Sequence, residues 1–273
     1  MASPAAPARP IVVVKLGGSV ITRKREIERL RPKLLARLAA EVAEGGRSRS
    51  VVLLHGAGSF GHPGARRFGL ARPPAPGSAR AERVRGGAIV ATEVRRLHLA
   101  VLRALVAAGT APASLPMAGL ARNRAGVLDA LDTTPFVAAL ERALLPVSFG
   151  DVVPDLAWDA SILSADTIAL ALVRAMPVGR VVFVSDVPGV LSGPAVGRRT
   201  VVPEITEATV AGLRPAPGVA DVTGGIRGKA EAMRAIAAAG ADAVLISGLT
   251  DGALARAIRG ESVYGSWAHA GSR

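Results

Sequence analysis

The chain has 273 residues, enough for one large α/β domain or two smaller ones around a substantial core, and half of them are hydrophobic with only 3% aromatic, so that core is Ala, Val, Leu and Ile. It contains no cysteine, which excludes disulfides and thiolate metal sites, and no apolar run approaches the ~18–20 residues of a membrane span. A formal net charge of +13 does not point to nucleic acid, because the basic residues are spread along the whole chain without interleaved aromatics, and 30 of the 34 are Arg.

That skew makes the four lysines, Lys15, Lys24, Lys33 and Lys229, the informative cations. Residues 1–10, MASPAAPARP, are Pro/Ala-rich without an apolar segment and read as a short disordered lead, not a signal peptide. The expectation is a soluble cytoplasmic protein with neither a membrane nor a nucleic-acid partner.

Apolar, β-branched runs then recur at 11–18 (IVVVKLGG), 51–58 (VVLLHGAG), 145–151 (LPVSFGD), 180–190 (RVVFVSDVPGV) and 241–248 (ADAVLISG). Each closes on small or turn residues. Helical periodicity lies between them at 27–43, 88–107, 135–143, 165–174 and 228–239. Continuous Val/Ile/Leu runs suit strands buried on both faces, and their alternation with helices predicts right-handed βαβ units and a mainly parallel sheet. Ligands in such sheets sit beyond the carboxyl ends of the strands, where these runs dissolve into glycine. Residues 72–87 read as a long, mobile Pro/Gly/Arg loop, and 213–225 as a short Pro-rich linker. A division near 160–175 is expected to leave both halves on one sheet.

Five stretches carry chemistry. In VKLGGSVITRK (14–24), Lys15 ends a strand and Gly17, Gly18 and Ser19 follow. Paired glycines let backbone N–H groups approach an anion, although a tight turn with an incidental lysine fits the same residues. In HGAGSFGH (55–62), Gly56, Gly58 and Gly61 offer a second anion cradle. His62 would add a charge-assisted bond if protonated. His55 reads as satisfying hydrogen bonds beside a turn, and that plainer reading stands open for His62 also. In ILSADTIALAL (162–172), Asp166 opens an apolar helix as a site residue or as a plain N-cap. In VFVSDVPGVLSG (182–193), Asp186 meets a ligand or initiates a turn. In DVTGGIRGKAEAM (221–233), Gly224 and Gly225 precede a helix whose first turn offers Lys229 to an anion. Two anion cradles and nearby lysines are what transfer between two phosphates requires, since catalysis then rests on positioning and fixed positive charge.

KLGGS, HGAGSFGH, GDVV, SADTIALAL, SDVPGVL and DVTGGIRGKAEAM, in that order, resemble the amino acid kinase superfamily over about residues 11–265. Within it, Lys15 followed nine positions later by Lys24, and GSFGHP with its histidine, resemble the isopentenyl phosphate kinases. The resemblance implies a three-layer αβα sandwich around a mainly parallel sheet, ATP and Mg²⁺ as cofactors, no protein-held metal site, and a homodimer. Residues 11–165 would bind the acceptor and 166–273 the nucleotide.

It also implies roles. Lys15 would stabilise the transferring phosphoryl group and Lys24 would lie near the phosphates. His62 would hold the acceptor phosphate over the cradle of Gly56, Ala57 and Gly58, with Gly61 and Gly150 beside the acceptor. Asp166 would orient the lysines. Gly17, Gly18, Ser19, Asp186, Gly189, Gly225 and Lys229 would contact ATP. Three positions depart from the pattern: Ala57 where a glycine is common, Pro188 where a second Asp is frequent, and Arg23 in place of an Asp. The 88–105 helix is expected to supply a wall for a hydrophobic acceptor tail. Other readings are a phosphonate kinase such as a fosfomycin-resistance kinase, a carboxylate kinase, and a nucleotide-binding storage or regulatory protein.

Overall fold

The computed structural model describes residues 10–23, 26–75, 80–192, 199–213 and 225–271. The first strand, β1 (Ile11–Leu16), is buried along its whole length and runs into a single helical turn, α1 (Gly18–Ile21). The helix expected from 27 begins later, as α2 (Pro32–Gly45). Leu30 instead bridges back to Thr22, and Pro32 is preorganised for a first helical turn. β2 (Ser50–His55) follows, and at its end the glycine-rich stretch is not a loop: α3 (Gly58–Arg67) starts within it.

α4 (Arg80–Ala107) overturns part of the long loop expected over 72–87, since helix is already present at Arg80; residues 76–79 lie outside the described residues. Gly86 and Gly87 do not break this helix because they are contact points. A Cβ on Gly86 would lie 2.4 Å from the Phe68 ring, and one on Gly87 3.3 Å from Val152.

The chain continues through β3 (Pro112–Ser114), β4 (Ala121–Arg124), β5 (Val127–Leu131), α5 (Thr134–Glu141), β6 (Leu145–Phe149), β7 (Asp151–Asp155) and β8 (Asp159–Leu163). It then forms α6 (Ala165–Ala175), β9 (Val178–Ser185), β10 (Leu191–Ser192), β11 (Thr200–Val201), α7 (Glu207–Gly212), α8 (Gly225–Ala238), β12 (Asp242–Ser247), α9 (Ala253–Arg259) and β13 (Ser266–Ala268). Most of the linker expected over 213–225 lies outside the described residues.

Among the described residues, a seven-stranded sheet has the order β13-β12-β9-β1-β2-β6-β3. Every neighbouring pair is parallel except β12 with β13. The chain moves outward from β1 through β2 to β6, then returns to β9 on the other flank of β1. This reversal gathers the carboxyl ends of β1, β2, β6 and β9 at one crevice.

Alternating side chains divide the sheet into two apolar faces. Val13, Val181, Phe183 and Leu245 pack against Ile168 and Leu172 of α6 and Met233 and Ile236 of α8. Val14, Val182, Val184 and Ile246 pack against Leu38 and Val42 of α2 and Leu254 and Ile258 of α9. The result is the mixed α/β fold with a mainly parallel sheet expected from the sequence.

A four-stranded sheet, β5-β4-β7-β8, was not foreseen. Its organiser is Asp155, which accepts hydrogen bonds from the backbone N–H groups of Ala125, Gly126, Ala157 and Trp158 and from Ser161 Oγ. The sheet delivers the chain to α6 beside the crevice. No helix among the described residues is long and apolar enough to cross a membrane.

Candidate active site

Lys15 lies on β1 with the same facing as Val13, so the residue that would continue the apolar stripe instead presents an ammonium group at the strand end. It meets α6. Ser164 caps that helix, its Oγ accepting from the Thr167 N–H at 3.0 Å. Asp166 is therefore not the N-cap that its position allowed, and its carboxylate reaches Lys15 Nζ at 2.8 Å. The side chains are 10% and 14% exposed. Burial alone would raise the Asp166 pKa, but the charges of Lys15 and Lys229 outweigh it and hold the carboxyl below its ordinary range. A fixed anion thus holds a fixed cation, and the lysine keeps N–H donors for a ligand.

The glycines follow from backbone approach. A Cβ on Gly18 would lie 2.4 Å from Gly58 N, and one on Gly56 2.9 Å from Gly18 N, so the turns after β1 and β2 pack backbone against backbone. Gly58 also has φ +50, and a Cβ there would strike the Thr22 hydroxyl. That hydroxyl accepts from the Ser59 N–H and donates to the Gly18 carbonyl, tying the two turns together.

Gly61 and Gly64 let α3 lie directly on Val94 and Val90 of α4, which carries His62 to the crevice wall. At the end of β9, Asp186 accepts from Ser19 Oγ at 2.7 Å. Gly225, at φ +62, starts α8 in a left-handed conformation that favours glycine, one turn before Lys229.

These elements enclose a cavity of about 630 Å³. Its lining brings together Lys15, Gly17, Gly18, Ser19, Gly56, Ala57, Gly58, Gly61, His62, Gly150, Asp166, Asp186, Gly225 and Lys229, all selected from the sequence. Lys24 lies outside the described residues. Gly189 is not brought to the cavity; its missing Cβ makes room for Ser266 Oγ and Val201.

Sequence reasoning missed several lining residues. Arg66, Arg199 and Arg227 carried no signal in an arginine-rich chain, and Ser185 precedes Asp186 without a motif of its own. Val90 and Val94 of the expected wall do line the cavity, joined by Val152 and Ile162 from the four-stranded sheet. Beside Gly150, buried Asp151 accepts from both terminal nitrogens of Arg95 at 3.2 and 3.3 Å and from the Ala118 and Val152 N–H groups, anchoring the carboxyl end of β6.

The sequence model of the amino acid kinase family matches residues 10–247. The chain is 32% identical to the isopentenyl phosphate kinase of Methanothermobacter thermautotrophicus over 270 residues, covering 94% of this chain and 98% of that protein. Among solved structures, an isopentenyl phosphate kinase superposes with a TM-score of 0.81 at 28% identity, covering 94% of this chain and 99% of the other. The T. acidophilum isopentenyl phosphate kinase in its product complex gives a TM-score of 0.76 at 27% identity, covering 95% and 100%.

Proposed function

Because this chain belongs to the amino acid kinase family, we propose that it transfers the γ-phosphoryl group of ATP to isopentenyl phosphate, releasing isopentenyl diphosphate and ADP. The observation that carries this reading is one cavity whose lining combines the cations Lys15 and Lys229 and the imidazole of His62 with the apolar side chains of Val90, Val94, Val152 and Ile162. A phosphate with a short branched hydrocarbon tail matches both kinds of lining. A carboxylate acceptor with polar substituents would leave the valines and the isoleucine without a partner.

An oxygen of the acceptor phosphate attacks the γ-phosphorus, and the bond from that phosphorus to the bridging oxygen of ADP breaks. Acceptor and donor repel one another, so the site must supply fixed positive charge to the equatorial oxygens of the transferring group. Lys15 has that role, held by Asp166, and Lys229 sits in the first turn of α8 on the nucleotide side. Gly17, Gly18, Ser19, Asp186 and Gly225 are assigned to the nucleotide's phosphates, and Lys24 joins them on sequence grounds alone. Gly56, Ala57, Gly58, Gly61 and Gly150 are assigned to the acceptor. His62 as an imidazolium would bond the acceptor phosphate, whose second ionisation gives it more charge than a carboxylate.

Mg²⁺ fits this site as an ion carried by the nucleotide. Among the described residues no group of three or more His, Cys, Asp or Glu would cage it, but Asp166 and Asp186 line the cavity, and Mg²⁺ characteristically takes one or two carboxylates plus phosphates and water. Bound there, it would neutralise charge on the donor phosphates. Homodimeric assembly and a cytoplasmic location belong to the same proposal and rest on the family resemblance.

The test is ADP release with isopentenyl phosphate, dimethylallyl phosphate, fosfomycin and N-acetylglutamate offered in parallel. Turnover should be confined to the isoprenoid phosphates. Clear turnover of another acceptor with none of these two overturns the assignment.

A further inference from the structure

The transfer step makes no use of His55, the other imidazole of the glycine-rich stretch, or of His98 beside it. Both are buried, at 0% and 4% exposure. His55 Nδ1 lies 3.1 Å from the Gly56 carbonyl oxygen, and His55 Nε2 lies 3.0 Å from His98 Nδ1. His98 Nε2 lies 2.8 Å from Ser114 Oγ, on β3.

The acceptors dictate where the protons are. A carbonyl oxygen only accepts, so His55 carries its proton on Nδ1. A neutral imidazole has one N–H, so His55 Nε2 must accept from His98 Nδ1–H. His98 Nε2 must then accept from the Ser114 hydroxyl. The rings are kept neutral by their surroundings: both pack on Phe149, with centroids 5.3 and 4.3 Å away, and the Arg95 guanidinium lies 5.8 Å from the centroid of that same ring. Burial, with the neighbouring His98, pushes His55 down to about 3; burial, with the Arg95 charge, pushes His98 down to about 4.

The last acceptor is what gives the chain of bonds a purpose. A trans peptide is planar, with its C=O and N–H on opposite edges. Holding the Gly56 carbonyl therefore fixes the Ala57 N–H on the far edge. Ala57 lines the cavity, and its N–H has no acceptor among the described residues.

We propose that Ser114, His98 and His55 form a one-way hydrogen-bond relay that sets the Gly56–Ala57 peptide plane and aims the Ala57 amide at the phosphate of the acceptor. His55 and His98 are positioning residues in this scheme, which rests on the phosphate-acceptor reading above. The relay runs from Ser114, at the solvent-facing end, through the packed interior to the cradle.

The experiment compares the full-length protein with His98→Phe, which removes the donor, and His98→Gln, whose side-chain amide can donate to His55 Nε2. Imidazole ¹⁵N spectra near neutral pH should find both histidines neutral and protonated at Nδ1; an Nε2-protonated His55, or either ring as imidazolium, overturns the relay. Inorganic phosphate, titrated against the wild-type Ala57 amide resonance, should bind about tenfold more weakly in His98→Phe, with most of the loss restored in His98→Gln.

In turnover the same loss should fall on the KM of isopentenyl phosphate and leave the KM of ATP unchanged. A merely structural His98 would lower thermal stability without that split, and this result also overturns the proposal. If the phosphate titration behaves as expected but the wild type does not phosphorylate isopentenyl phosphate, the relay stands and the acceptor assignment fails. If the wild type turns over and His98→Phe changes neither phosphate affinity nor acceptor KM, the relay alone fails.

Discussion

At the end of the cavity between β1 and α6, charges are answered at close range: Lys15 by Asp166 at 2.8 Å, with Ser19 holding Asp186 at 2.7 Å. The end between α4 and β8 offers Val90, Val94, Val152 and Ile162, and His62 of α3 lines the same cavity. The first end is anchored to the central strand and to helix termini, and any acceptor of a phosphoryl group would need it. The second is assembled from α4 and a separate small sheet, and under the proposed function it would meet only what the acceptor carries behind its phosphate. On that reading reaction type and acceptor choice are written on different elements, and each should yield to different substitutions.

The largest effect is expected at the charged end. Lys15→Met keeps length and apolar bulk but removes the charge, and should lower kcat about a hundred- to a thousandfold with little change in the KM of either substrate. Steady-state kinetics with each substrate varied checks this. Normal turnover with weakened binding would assign Lys15 to ground-state binding instead and break the contrast between the ends.

A smaller loss is expected at the imidazole. His62→Ala should reduce kcat/KM for isopentenyl phosphate about thirtyfold, the scale of one charge-assisted bond, while ATP binding is nearly unchanged. Calorimetric titration of a non-hydrolysable ATP analogue separates the outcomes: an equal loss of nucleotide affinity would put His62 on the wrong side of the boundary.

The charged end was far more legible in the sequence than the apolar one. Strands β1, β2, β9 and β12 appear as largely continuous apolar runs rich in Val, Ile and Leu, and β6 as the shorter LPVSF, because both of their faces are buried. Lys15, Asp166 and Lys229 stand out because lysine is rare here and each sits at a glycine-rich or small-residue turn. The glycines were legible as a feature, with part of their cause hidden: Gly18, Gly56 and Gly58 also serve the contact between two turns, which no single segment reveals.

The four-stranded sheet was illegible because its strands are short and because Asp155, whose bonds to the Ala157 and Trp158 N–H groups are a local turn, ties that turn to Ala125 and Gly126, which lie 30 and 29 positions away. The early start of α4 was masked by Pro73, Pro74, Pro76 and the Gly86–Gly87 pair, which ordinarily punctuate a chain; within the helix those two glycines answer to Phe68 and Val152. From the sequence alone, His55 reads as a residue that merely satisfies hydrogen bonds. It does satisfy them, but the partner that gives those bonds direction, His98, lies 43 positions away.

The smallest effect belongs to the apolar end and is the most selective. Ile162 comes from β8, touches the cavity, and is partly exposed there. Ile162→Thr keeps the β-branch but removes the terminal methyl and puts a hydroxyl in place of Cγ1, a loss that partial exposure holds to the order of one buried methylene. The KM for isopentenyl phosphate should rise about fivefold on that basis. Inorganic phosphate binding at the Ala57 amide should not change, because the substitution lies against the tail and not the anion. If phosphate binding weakens in step with the KM, the two ends are mechanically coupled through β8 and α6. If neither changes, the tail does not reach Ile162, and the acceptor's hydrocarbon must lie against Val90, Val94 and Val152.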